Sequence, residues 1–141
     1  MFGTYNLNDI DIMSYSDGTL VSSFNSTLQD NLFGSNVDGY SIVAWTGLNP
    51  NYCDTIKLTD TISLTGLSLS LSIGSEWSVS GGTTSKTAKW SKEYENEFSI
   101  EHTYQNITFD GVNLYYRQTC TGDFSFGTSN FTTTATDYVW P

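Results

Sequence analysis

Alanine is nearly missing: Ala44, Ala88 and Ala135 are the only three in 141 residues. Alanine is the best helix former, and the 19 serines and 20 threonines found instead are indifferent ones, so most helical folds are excluded. Basic residues are scarce too. Four lysines and Arg117 face 15 acidic residues, for a net charge of −10. Nucleic-acid partners are excluded, because phosphates need clustered Lys and Arg. The longest uninterrupted apolar run, Ile42 to Trp45, is far short of the roughly 20 residues of a membrane-spanning helix.

Met1-Phe2-Gly3-Thr4 shows neither the basic start nor the apolar stretch of a signal peptide. The low content of charge and the abundance of Ser, Thr, Asn and Gly suit an extracellular or cell-surface β protein. The expectation is therefore the mature form of an exported chain. Cys53 and Cys120 are the only cysteines, so a single Cys53–Cys120 disulfide is expected. Its loop of about 68 residues would stabilise the fold by roughly 4 kcal/mol in the chain-entropy account. Two cysteines and the lone His102 do not complete a zinc site, and no other metal or cofactor is expected. Three N-glycosylation sequons begin at Asn25, Asn106 and Asn130; eleven asparagines in so Ser/Thr-rich a chain produce about that many by accident.

What is present is alternation with a period of two. Leu67, Leu69, Leu71, Ile73, Trp77 and Val79 alternate with serines, the mark of a strand with one apolar and one hydroxyl face. After Gly81-Gly82 the parity switches. Ala88, Trp90, Tyr94, Phe98, Ile100 and Tyr104 then alternate with Glu93, Glu95, Glu97 and Glu101. The two segments read as one long hairpin. Turn signals at Asp110-Gly111, Thr121-Gly122-Asp123 and Gly127 to Asn130 separate further strands. Leu20, Phe24, Leu28 and Leu32 fit one face of a short helix near residues 20–32, although all four are also even positions. Seven to nine strands without room for crossover helices predict an all-β fold. The expected fold is a single antiparallel β-sandwich, jelly-roll or immunoglobulin-like, over residues 18–141, with an extended arm over residues 1–17.

Catalytic signals are weak. His102 is the only histidine, and no Gly-x-Ser-x-Gly elbow accompanies it. Its parity places it beside Ile100 and Tyr104, as a partly buried residue with a hydrogen-bond partner. A glycoside hydrolase needs two carboxylates across a sugar, and Glu76, Glu93, Glu95, Glu97 and Glu101 offer them. Four of these share one outer face, where water and mutual repulsion are the expected surroundings. Asp9, Asp11 and Asp17 match no calcium-loop spacing. A pore-forming hairpin is disfavoured because Lys86 and Lys92 share the apolar parity of the return strand, and a lipid-facing lysine costs on the order of 2–4 kcal/mol.

Binding and assembly remain. The arm carries Tyr5, Leu7, Ile10 and Ile12 among polar residues and suits strand addition to a neighbouring sheet, a second copy or another surface protein. Aromatic residues form 15% of the chain and suit stacking on polysaccharide. Trp45, Trp77 and Trp90 lie on apolar faces and belong to the core. Tyr115, set apart by its parity from Leu114 and Tyr116, is the candidate ligand-stacking ring. The expected function is a non-catalytic structural or interaction module, with a carbohydrate-binding module second and a small glycosidase third.

Overall fold

The structure, a computed structural model, describes residues 2–31 and 34–141. Eight antiparallel strands form one sheet: β1 (Gly3–Tyr15), β2 (Gly18–Asp30), β3 (Ser35–Trp45), β4 (Cys53–Ser72), β5 (Ser78–Gly81), β6 (Ser85–Glu97), β7 (Ser99–Phe126) and β8 (Ser129–Val139). Their order is β1-β2-β3-β7-β4-β6-β5, with β8 also on β7. β7 makes this sheet sandwich-like. One of its edges pairs with β4 from Thr108 to Ser125, while the other takes β3 up to Phe109 and then β8 from Tyr116 onward. The sheet folds between those two stretches. A first layer of β1, β2, β3 and the start of β7 lies over a second layer of β8, the end of β7, β4, β6 and β5.

The corner has a local cause. Register shifts beside Gly66 and between Leu67 and Ser70 bulge the β4–β7 ladder, and bulged strands bend. Gly111 (φ 101°) sits at the bend, and a Cβ there would come within 2.5 Å of the Ser68 carbonyl oxygen. Only glycine fits that approach.

The core between the layers comes from alternate residues of every long strand, including Leu20, Phe24 and Leu28 of β2 and Ile56, Leu58, Ile62 and Leu64 of β4. Residues 20–30 are therefore strand and not helix; Leu32 lies outside the described residues. The intervening inward positions of β2 are Ser22, Ser26 and Asp30, all buried. Small polar residues at those positions disguised a period of two as a period near four.

Two more expectations are corrected. Of Leu67–Val79, only Ser78 and Val79 pair with Ala88–Tyr104, opposite Lys89 and Ala88. Instead β6 pairs with Cys53–Thr65, the tail of β4 pairs with the bend of β7, and only Ser78–Gly81 folds back on β6. The Cys53–Cys120 disulfide is also absent, and both thiols are free and buried. The β4–β7 register sets Cys120 opposite Asp60, seven residues along β4 from Cys53. At about 3.4 Å per residue that is roughly 24 Å, whereas bridged Cα atoms lie within about 7 Å.

Candidate functional site

The arm residues divide by parity. β1 pairs with β2 along its whole length, from Gly3↔Asp30 to Tyr15↔Gly18. Leu7 is buried and Tyr5 packs against the core, while Ile10 and Ile12 are each 57% exposed on the outward face. The other edge of β1 meets β8 through side chains. Asp9 Oδ2 accepts the Thr136 N–H at 2.9 Å, Asp11 Oδ2 accepts the Thr134 N–H at 2.7 Å, and Asp137 Oδ2 accepts the Asn8 N–H at 3.0 Å. These carboxylates supply the acceptors that a ninth strand would have supplied. Asp17 in turn accepts the backbone N–H groups of Leu48 and Asn49. The acidic residues near the N-terminus thus hold backbone amides, and no group of three or more His, Cys, Asp or Glu side chains suited to a metal exists among the described residues.

The outward face of the second layer carries the aromatic candidate. Tyr115 is half-buried there, with Tyr138 at 5.9 Å and Trp140 at 4.4 Å between ring centroids. Trp140 is 70% exposed and Tyr138 57%. The β7–β8 register explains the grouping, since Arg117 lies opposite Tyr138 and the buried Tyr116 lies opposite Val139. Exposed Arg117 flanks the rings. Beyond it lie Thr119 opposite Thr136, their hydroxyls 3.2 Å apart, and Thr121 opposite Thr134. Leu114 is not inward: it is the residue skipped by the bulge and is 48% exposed. Sequence reasoning found Tyr115 but missed Tyr138 and Trp140. The alternation Thr132, Thr134, Thr136, Tyr138, Trp140 was the available signal.

Facing the core are Ser41, Asp60 and His102, the three residue types of a hydrolytic triad. His102 Nδ1 lies 2.6 Å from Asp60 Oδ2, and Ser41 Oγ donates to Asp60 Oδ1 at 2.6 Å. The serine therefore serves the carboxylate. A nucleophile would have to reach Nε2 of the histidine, so this geometry is not that of a triad. The His102 ring lies flat on Trp90, with Trp77 and Tyr104 beside it. Burial pushes the Asp60 carboxyl above its ordinary value, opposed by the hydrogen bonds from His102 and Ser41. A second network runs through Gln118, whose Oε1 accepts Ser26 Oγ–H at 2.7 Å and Tyr116 O–H at 3.0 Å, and whose Nε2 donates to the Tyr104 hydroxyl. Both networks tie one layer to the other.

The five glutamates do not converge, although Asp123, across Lys57 from Glu93, lines one surface depression with it. Glu93, Glu95 and Glu97 follow one another along a single exposed face of β6. Glu76 lies in the turn before β5, and Glu101 stands on the first layer beside Tyr40. A glycosidase needs two carboxyl groups facing each other across a sugar, and the strand positions of these residues do not produce such a pair. No family model matches the chain, and no curated protein sequence matches it.

Proposed function

We propose that this protein is a non-catalytic interaction module of an extracellular or cell-surface setting, and that its ligand is a neutral polysaccharide. The observation that carries the reading is the Tyr115–Tyr138–Trp140 cluster, a group of rings turned to solvent on the rigid β7–β8 ladder. Solvent-exposed rings meet the apolar faces of pyranoses, while the Arg117 guanidinium and the threonine hydroxyls beside them offer hydrogen bonds to sugar hydroxyls. A chain of charge −10 repels acidic polymers, which favours a neutral one. The test is a titration of tryptophan fluorescence with a panel of neutral polysaccharides, paired with affinity electrophoresis. At least one polymer is expected to bind, and Trp140→Ala is expected to weaken it by about tenfold or more, roughly 1.4 kcal/mol. A flat response over the whole panel would refute the reading.

A further inference from the structure

The first layer has an outward face that nothing among the described residues covers. Register places its side chains in rows. Ile12 lies beside Val21, which lies beside Ala44; Ile10 lies beside Ser23, which lies beside Ile42. Both isoleucines of β1 are more than half exposed, and Val21, Ile42 and Ala44 are partly so. Moving toward the other end of the strands, the rows become polar, with Asn8, Asn25 and Tyr40 in one of them. An aliphatic patch bordered along the strands by neutral hydrogen-bonding residues, and beyond Ile42 by Glu101, has the apolar core and polar rim of a protein interface.

The distribution of charge points to the occupant. The chain carries −10, yet no outward side chain of β1 from Thr4 to Ser14, or of β2 from Thr19 to Gln29, is charged. Asp9 and Asp11 have the opposite parity and turn toward β8. The charges of this layer's outer face, Asp38 and Glu101, stand on its β3–β7 side. Two like-charged copies therefore repel least when β1 and β2 of one meet β1 and β2 of the other. Three strands about 4.8 Å apart and some 40 Å long offer roughly 580 Å². That is close to the ~600 Å² each partner contributes at the lower end of standard stable interfaces. A flat aliphatic face is also complementary to itself across a two-fold axis.

We infer that the β1–β2–β3 face joins two copies of this chain, sheet on sheet, into a symmetric dimer. Ile10 and Ile12 would then serve assembly through the face of their strand and not through its edge. The experiment is sedimentation equilibrium of the wild-type chain from micromolar to millimolar concentration, repeated on Ile12→Lys, Ile10→Lys and Trp140→Ala. The wild type and Trp140→Ala are expected to form a species of twice 15.6 kDa. Each lysine variant, with circular dichroism unchanged, is expected to remain a monomer. A wild type that stays monomeric throughout, or a dimer that survives both lysine variants, would overturn the inference. Dissociation by Trp140→Ala alone would overturn it too, by moving the interface to the aromatic face. Sugar binding is read separately, so failure of the dimer leaves the proposed ligand face intact.

Discussion

His102 and Asp60 meet at 2.6 Å in the interior, on strands that belong to different layers of the sandwich. The carboxylate is fully buried, and Ser41 is its only other side-chain hydrogen-bond partner among the described residues. Removing the imidazole therefore strands an acid in the core. His102→Ala is expected to cost about 3–5 kcal/mol of unfolding free energy, because it leaves a buried carboxyl group with one of its two side-chain partners removed. The double variant Asp60→Leu/His102→Phe should cost clearly less than the sum of its two single changes. Urea denaturation of the four proteins measures the coupling.

Alkaline pH should unfold the protein well before its backbone is damaged. Burial raises the thiol of Cys53 to about 12 and pushes Cys120, Tyr104 and Tyr116 well above their ordinary values of 9.0 and 10.0. The folded state then keeps protons that the unfolded chain releases. The stabilisation from these groups is complete below pH 9 and is lost as pH rises toward the folded values. Each group contributes about 1.4 kcal/mol per pH unit, so the four together approach about 5 kcal/mol per unit above pH 10. Thermal melts at stepped pH should show Tm falling steeply there, with tyrosinate absorbance from Tyr104 and Tyr116 appearing only as the protein unfolds.

Thiol chemistry separates the free cysteines from a disulfide. A thiolate is the reacting form, and burial withholds it at both positions. Ellman's reagent at pH 8 should find essentially no thiol in the native protein. In denaturant, without any reductant, it should find two. A count of zero in denaturant would mean that the cysteines are bridged.

The carboxylates of β1 make a local prediction at the layer edge. Asp9 and Asp11 hold the amides of Thr136 and Thr134 in a setting that water reaches. Asp9→Ala and Asp11→Ala should therefore each lower stability by only about 0.5–1.5 kcal/mol. Amide exchange should accelerate mainly at Thr136 in the first variant and at Thr134 in the second. Exchange that rises uniformly over all of β8 would mean that the carboxylates act on the layer as a whole.

Strand content was legible because threonine-rich alternation and near-absent alanine have local causes. Of the three turn signals, however, only Gly127 to Asn130 separates two strands. Asp110-Gly111 is a bend inside β7, and Thr121-Gly122-Asp123 runs through β7 paired with Thr59, Leu58 and Lys57. What failed was long-range. The serine positions Ser22 and Ser26 hid the inward face of β2, since each is buried only by virtue of a partner more than ninety residues away, Thr133 and Gln118. The hairpin expected around Gly81-Gly82 forms over only four residues, Ser78–Gly81 opposite Lys86–Lys89, while the other edge of β6 takes the start of β4, a pairing for which no turn in the chain provides a signal. For the candidate site, parity marked Tyr115, but only the β7–β8 register brings Tyr138 and Trp140 to it. The Asp60–His102 pair was half legible: the buried histidine could be read, and its carboxylate forty-two residues away could not.

The continuity of β7 through both layers governs how the chain must fold. Neither layer can be finished without this strand, and the bond from Asn8 to Asp137 joins residues 129 apart in sequence. Contacts at such separations place the protein among slow folders, with relaxation in milliseconds to seconds. During synthesis, β1 to β6 emerge before the strand that unites them, with open edges and no partner layer. The two layers can thus meet in their native register only after β7 has been made.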